Sequence, residues 1–328
     1  MYSTVDAKLN YHETVRDLYR DAATRPADDL CCVAEKPRYL PGLVVPDIMH
    51  EMNYGCGSTV HLQDMRDDQR VLYVGVGGGL ELLQLAYFAR RPGAVIGVDP
   101  VAEMRDAAEK NLRLAAESNS WFDPSFVDIR DGDALNLPIE NGSIDIAAQN
   151  CLFNIFDAPD LARALSEIYR VLRQRGRLVM SDPITPGVIP GHLSDDSRLR
   201  AMCLSGCLQL DEYLNFIVKA GFGAIEVRSR RPYRVLDATT YELSEDLLLE
   251  TIEVAALRVP VPQDGPCIFT GRYAIYTGPE ECYDDNNGHV LRRNLPVAVC
   301  DKTCKMLQSV AHMAVTESTW HYLGDGCC

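Results

Sequence analysis

Apolar positions along the chain change their rhythm twice. Over residues 1–30, Tyr11, Val15, Leu18 and Tyr19 recur at three- and four-residue steps, the spacing of one helix face. An irregular, proline-marked stretch follows from Cys31 to about Gln69. From Val71 onward, short apolar runs alternate with amphipathic segments. Residues 71–74 predict a buried strand ending in glycines, followed by a helix over 80–90. A strand over 94–98 closes at Asp99-Pro100, and a helix follows over 102–117. Further strands are expected over 126–129, 144–148 and 177–180, with a helix over 161–172 before the last. A helix over 211–220 stops at Gly221, and a sixth strand is expected over 225–227.

Strand–helix alternation at this spacing predicts an α/β fold, with a mostly parallel sheet covered by helices on both faces. Ligands on such sheets bind beyond the carboxyl ends of the strands. Gly75–Gly79, Asp99, Asp133, Asn150 and Asp182 fall at that edge. Past about residue 235 the alternation is lost. Strands over 251–259, 268–276 and 290–299 and a short helix over 301–311 predict a smaller α+β appendage. The expected division is a helical and loop segment over 1–69, the sheet domain over 70–235 and the appendage over 236–328.

Charge narrows the range of partners. The 328 residues carry 47 Asp and Glu against 32 Lys and Arg, a net charge of −15. Nucleic acid and anionic membrane both attract basic surfaces, so neither is an expected partner. No apolar run reaches the roughly 18 residues of a membrane span. Residues 1–20 are polar and mixed in charge, so no export signal is expected and the cytoplasm is the expected location. Thiols there are kept reduced.

Twelve cysteines change the picture. No two of them have the C-x-x-C spacing of a zinc ribbon. Cys203 and Cys207 are four apart, as are Cys300 and Cys304, so each pair would share a helix face. Cys151 directly follows Asn150 at the ligand edge. Cys56 lies in Tyr54-Gly55-Cys56-Gly57, where glycines leave the backbone bare. Soft thiolates at such an edge suit a thiophilic substrate. Every cysteine is also compatible with a role as a small buried apolar side chain, the expectation for Cys267, Cys282, Cys300 and Cys304. For Cys207, packing and spare-ligand roles both stay open. His61 and His192 lie in loops without a paired ligand pattern and are expected at the surface. Asp195-Asp196 is expected to begin a helix.

The segment Tyr73-Val74-Gly75-Val76-Gly77-Gly78-Gly79 joins the first strand to its helix. Its glycines permit a sharp turn and close approach of a ligand to the backbone. Asp99, twenty residues after Gly79, can accept hydrogen bonds from both ribose hydroxyls of an adenosine cofactor. Gly75, Gly77 and Gly79 follow G-x-G-x-G, not the G-x-G-x-x-G of dinucleotide enzymes, and so resemble motif I of class I S-adenosylmethionine (SAM) methyltransferases. Asp131 to Pro138 looks like their adenine-contacting loop. Glu167 to Leu172, then Gly176-Arg177-Leu178, looks like their late helix and strand. An NAD-linked fold is the alternative. One position departs from the pattern: Tyr73 stands where such families often carry an acid that holds the methionine end of SAM.

Over nearly its whole length the chain resembles the arsenite methyltransferases, in particular the bacterial and cyanobacterial type that includes arsenosugar-pathway members. The matching elements are Cys31-Cys32, Tyr54-Gly55-Cys56-Gly57, the glycine loop, Asn150-Cys151 and Cys203-Leu204-Ser205-Gly206. In the tail they are Tyr273 to Gly278 and Val290 to Val299. The resemblance implies a Rossmann-like class I SAM-dependent methyltransferase with a smaller α+β C-terminal domain. It implies SAM as cofactor and S-adenosylhomocysteine as its product. Tyr54, Gly75, Gly77, Gly79, Asp99, Met104, Asp133, Ala134 and Asn150 would contact the cofactor. Cys151 and Cys203 would be the core arsenic ligands. Cys56 would be the third ligand, or would cycle through a disulfide with Cys31 or Cys32. Cys327-Cys328 resembles extra arsenic-capturing thiols of some relatives.

The implied substrates are arsenite and methylarsenite, the products mono- and dimethylated arsenicals, and the reductant a thiol such as glutathione or thioredoxin. Trivalent arsenic on three sulfurs keeps a lone pair that can attack a methyl group, so no general base is needed. Two other functions are compatible with the chain. One is methylation of a small organic carbon, oxygen or nitrogen centre. The other is thiol-based sequestration of arsenic without turnover.

Overall fold

The structure, a computed structural model, describes residues 4–27, 30 and 39–318. Cys31, Cys32, Cys327 and Cys328 lie outside the described residues. Helix α1 (Thr4–Thr24) is followed by the short α2 (Asp47–Glu51). The sheet then begins with β1 (Val71–Val74), α3 (Leu80–Ala86), β2 (Val95–Asp99), α4 (Ala102–Ser118), β3 (Val127–Asp131) and β4 (Ile144–Asn150). It continues through α5 (Ala158–Val171), β5 (Leu172–Ile184), α6 (Gly191–Ser194), α7 (Ser197–Ala201), α8 (Leu210–Lys219), β6 (Ala224–Leu236) and β7 (Leu247–Leu257). Strand β8 (Cys267–Phe269) closes it.

The eight strands run in the order β3-β2-β1-β4-β5-β7-β6-β8. β1 to β5 pair in parallel, and β7 lies antiparallel between β5 and β6. Side chains on a strand alternate between its faces. On β1, Leu72 and Val74 enter one apolar cluster, with Phe153, Ile168 and Tyr213. Val71 and Tyr73 enter the other, with Met49, Leu83 and Met104. Both faces are therefore covered, as parallel strands require. The chain order reverses between β1 and β4, which opens a crevice at their carboxyl ends.

The expected boundary at residue 235 falls inside this sheet. β7 and β8 belong to it, so only the chain beyond Phe269 forms the smaller unit. A strand inserted antiparallel between two earlier ones is fixed by contacts distant in sequence, and chain order does not reveal them. The remainder comprises β9 (Tyr273–Tyr276), β10 (Cys282–Asp284), β11 (Val290–Arg292), β12 (Pro296–Ala298), α9 (Asp301–Leu307) and β13 (Met313–Val315). Its strands form a β12-β9-β13 sheet and a β10-β11 hairpin, around Ala274, Leu291, Cys304 and Leu307. The expected strand over 268–276 is divided at Gly271 (φ +82°), and that over 290–299 at Asn294 (φ +62°).

Other expectations divide. Asp196 does cap α7, accepting from the amides of Arg198 and Leu199. His192 is exposed, but His61 is buried and lies 3.5 Å from Glu253, because β7 brings that carboxylate against the loop before β1. Cys300 and Cys304 are buried, whereas Cys267 is half-buried and Cys282 exposed.

Candidate active site

The crevice at the β1/β4 switch holds a cleft with about 1020 Å³ of empty space. Gly75 and Gly77 lie on its wall at φ +83° and +50°, conformations that L side chains rarely adopt. Bare backbone therefore faces the cleft. Gly79 does not line it. Its φ of +85° serves the entry to α3, a conformation that L side chains rarely adopt, and a Cβ there would lie in ordinary contact distance of Ala108 in α4. Its neighbours Gly78 and Leu80 both line the cleft.

Asp99 ends β2 and lines the cleft. Its carboxylate accepts from the amides of Val76 at 3.0 Å and Val101 at 2.9 Å, tying the glycine loop to the start of α4. Burial pushes its carboxyl up to about 6, against those two hydrogen bonds. Met104, Asp133 and Ala134 share the wall with it. Tyr54 lines the other side, its hydroxyl donating to the carbonyl of Ala22 at 3.2 Å. Helix α1 crosses the opening and contributes His12, Val15, Arg16 and Tyr19. Tyr11 anchors it by donating to Asp160 at 2.6 Å. The sequence pattern predicted this helix but gave no sign that it covers the cleft.

These groups fit SAM. Its adenosine would find bare glycine backbone, a carboxylate at Asp99 and apolar surface from Val101 and Met104.

The thiols gather at the end of β4. Cys151 lines the cleft, and its amide donates to the Ser181 carbonyl at 2.7 Å. Cys203, in the turn after α7, places its Sγ 2.9 Å from the Cys151 carbonyl. Both residues adopt left-handed backbone, with φ +58° and +57°. Such conformations are uncommon in residues other than glycine, and they cluster at functional sites. Cys56 lies behind the wall, its Sγ 3.4 Å from Ser181 Oγ and 3.4 Å from Thr251 Oγ1. Cys56, Cys151 and Cys203 are all buried in one cluster, of which only Cys151 lines the cleft. Among the described residues, no three His, Cys, Asp or Glu side chains stand together as a ready-made metal-holding group. Cys207 donates its thiol to the Cys203 carbonyl at 3.3 Å, bracing that turn.

Glycine is required on both sides of Cys56. A Cβ at Gly55 would collide with the Asn150 amide, and one at Gly57 with Ser181 Oγ. Asn150 donates to the Gly57 carbonyl at 2.8 Å and accepts from the Cys56 amide at 3.0 Å.

Beneath the thiols lies a buried polar pair. Tyr213 donates to Asp182 at 2.8 Å, and Gln149 donates to the same carboxylate oxygen. Burial pushes Asp182 up to about 7 and holds the Tyr213 hydroxyl well above its usual range. The sequence placed Asp182 at the right edge but could not pair it with a tyrosine on α8.

Among the described residues, no helix is long and apolar enough to cross a membrane. A family model described as a methyltransferase domain matches residues 72–180, and one described as a domain of unknown function matches 263–324. An arsenite methyltransferase of Aquipseudomonas alcaligenes is 27% identical over 90% of this chain and 87% of its own length. One of Halobacterium salinarum is 29% identical over 54% of this chain, which spans 43% of that protein. Among solved structures, an arsenic (III) SAM methyltransferase from Chlamydomonas reinhardtii superposes with a TM-score of 0.58 at 25% identity. That match covers 85% of this chain and 95% of the other. With the glycine cradle, Asp99 and the parallel sheet in place, the chain is a SAM-dependent methyltransferase of class I fold, and over most of its length it is similar to arsenite methyltransferases.

Proposed function

We propose that this enzyme methylates trivalent arsenic held by the thiolates of Cys151 and Cys203, with Cys56 as third ligand. The observation that carries the reading is the joining of Cys203 to Cys151 at the cleft wall, with both in left-handed backbone. Bound SAM supplies an electrophilic methyl group on a sulfonium. The chain's contribution is to desolvate and aim the acceptor. Phe153 and Ile155 of the adjoining turn bury the thiols' surroundings. The arsenic lone pair attacks the methyl carbon and the thioether leaves, so no side chain has to take a proton in that step. Thiol protons leave earlier, as each As–S bond forms, much as metal ligation releases them. Cys56 would join by rotating its Sγ away from Ser181 and Thr251.

The expected substrates are arsenite and methylarsenite, the products mono- and dimethylated arsenicals, and the site of action the cytoplasm. Methyl transfer leaves arsenic formally pentavalent; two thiolates would return it to the trivalent state by leaving as a disulfide, which glutathione or thioredoxin would reduce, with Cys31 or Cys32 as exchange partners of Cys56. The test is incubation with SAM, arsenite and thiol, followed by separation of arsenic species. C151S and C203S should bind S-adenosylhomocysteine yet form no methylated arsenic. Full activity in either variant would refute the ligand assignment.

A further inference from the structure

The cleft wall contains a carboxylate that the glycine motif does not account for. Glu81 lies in the first turn of α3 and faces the cleft beside Gly55, Tyr73 and Asn150. Its Oε1 accepts from Thr59 Oγ1 at 2.6 Å and from Asn150 Nδ2 at 3.2 Å. Its Oε2 accepts the hydroxyl of Tyr73. These partners among the described residues are all neutral, and the charge that acts on Glu81 is a like one, Glu253 on β7. Glu253 is itself matched by Arg231 at 2.8 Å and faces His61 at 3.5 Å. A carboxylate placed on a ligand cleft with neutral donors behind it is complementary to a cation.

Tyr73 occupies the position where an acid was expected, and its hydroxyl orients Glu81 instead. We propose that Glu81 receives the α-ammonium group of the cofactor's methionine portion, doing from α3 what an acid on β1 would otherwise do. The proposal rests on SAM occupying this cleft and is independent of arsenic. An ammonium carries three N–H donors, and charge-assisted bonds to a carboxylate are the strong ones. Asp99 serves a separate set of partners, Val76 and Val101, which leaves the two carboxylates to opposite portions of one ligand.

Proton linkage follows. Burial, with Glu253 adding to it, pushes Glu81 up to about 7 despite hydrogen bonds from Thr59 and Asn150. The other titratable group in contact, Tyr73, acts as a donor. An arriving cation favours the charged carboxylate, so binding near neutral pH expels a proton. Affinity therefore rises as pH climbs toward and through about 7.

Calorimetry on the full chain tests this with two probes, S-adenosylhomocysteine and 5′-methylthioadenosine, which lacks the amino-acid portion. In the unaltered protein, binding enthalpy at neutral pH should depend on buffer ionisation for the first probe and not for the second. Glu81→Gln should weaken S-adenosylhomocysteine by roughly ten- to a hundredfold and methylthioadenosine by about twofold at most. Glu81→Asp, which keeps the charge, should retain proton release. Equal proton release with both probes, or equal weakening of both, would assign Glu81 to scaffolding and overturn the proposal. If neither probe binds the unaltered protein, SAM binding itself fails, an outcome separable from the others.

Discussion

One carboxamide, that of Asn150, fixes the position of Cys56. Asn150 accepts from the Cys56 amide at 3.0 Å through Oδ1 and donates to the next carbonyl, that of Gly57, at 2.8 Å through Nδ2. The last residue of β4 thereby holds a loop almost a hundred positions earlier in the chain, on the same wall as Cys151. Asn150→Ala should remove both bonds and leave the loop amide and carbonyl without that partner, costing about 1–3 kcal/mol. Urea unfolding measures the loss, and methylation should fall further than stability does. Unchanged methylation would show that the placement of Cys56 does not matter.

Gly57 admits no larger residue unless the Ser181 side chain moves. A Cβ would overlap Ser181 Oγ, which itself contacts the Cys56 thiol. Gly57→Ala should destabilise by about 1–3 kcal/mol, the usual cost of overpacking. Pairing it with Ser181→Ala should recover much of that loss, and a thermal-unfolding comparison of the two variants measures the recovery.

Backbone strain at the two cleft cysteines can be measured apart from their chemistry. Cys151 and Cys203 lie at φ +58° and +57°. A left-handed conformation costs a non-glycine residue about 1–2 kcal/mol. Cys151→Gly should therefore be more stable than Cys151→Ala by about 1 kcal/mol, with both inactive on arsenite. An alanine variant as stable as the glycine one would mean that the strain is absent in solution.

Buried carboxyls give cofactor-free stability a definite pH dependence. Glu81 and Asp182 are pushed up to about 7 and Asp99 to about 6, from ordinary values of 4.5, 3.8 and 3.8. The folded state then holds protons that the unfolded chain releases. Stability should decline as pH rises from the ordinary carboxylate range through about 7. Asp182→Asn should flatten that decline. Unfolding temperatures across this range measure it, and an unchanged slope would exclude Asp182 as a source.

The fold core was legible because its signals are local. Apolar runs closed by glycine or Asp-Pro marked β1 and β2, helical spacing marked α1, and a run rich in Ala, Glu, Lys and Arg marked α4. Gly75, Asp99, Asp133 and Cys151 could be assigned to the cleft because a parallel sheet puts every strand's carboxyl end on one edge. Three glycines look equivalent in sequence, yet Gly75 and Gly77 line the cleft while Gly79 sits at the entry to α3, near Ala108 of α4.

By itself, the sequence determined the alternation of strands and helices, the cofactor loop and the cysteines worth suspecting, since each depends on residues near one another in the chain. Tertiary structure alone decided that β7 enters the sheet, that α1 covers the cleft, that Tyr213 meets Asp182 and that Glu81 backs Tyr73. Those relations arise from strand order and from which face of a helix packs inward. Both are settled by burying the apolar surface of the whole chain at once, and no short segment contains that information.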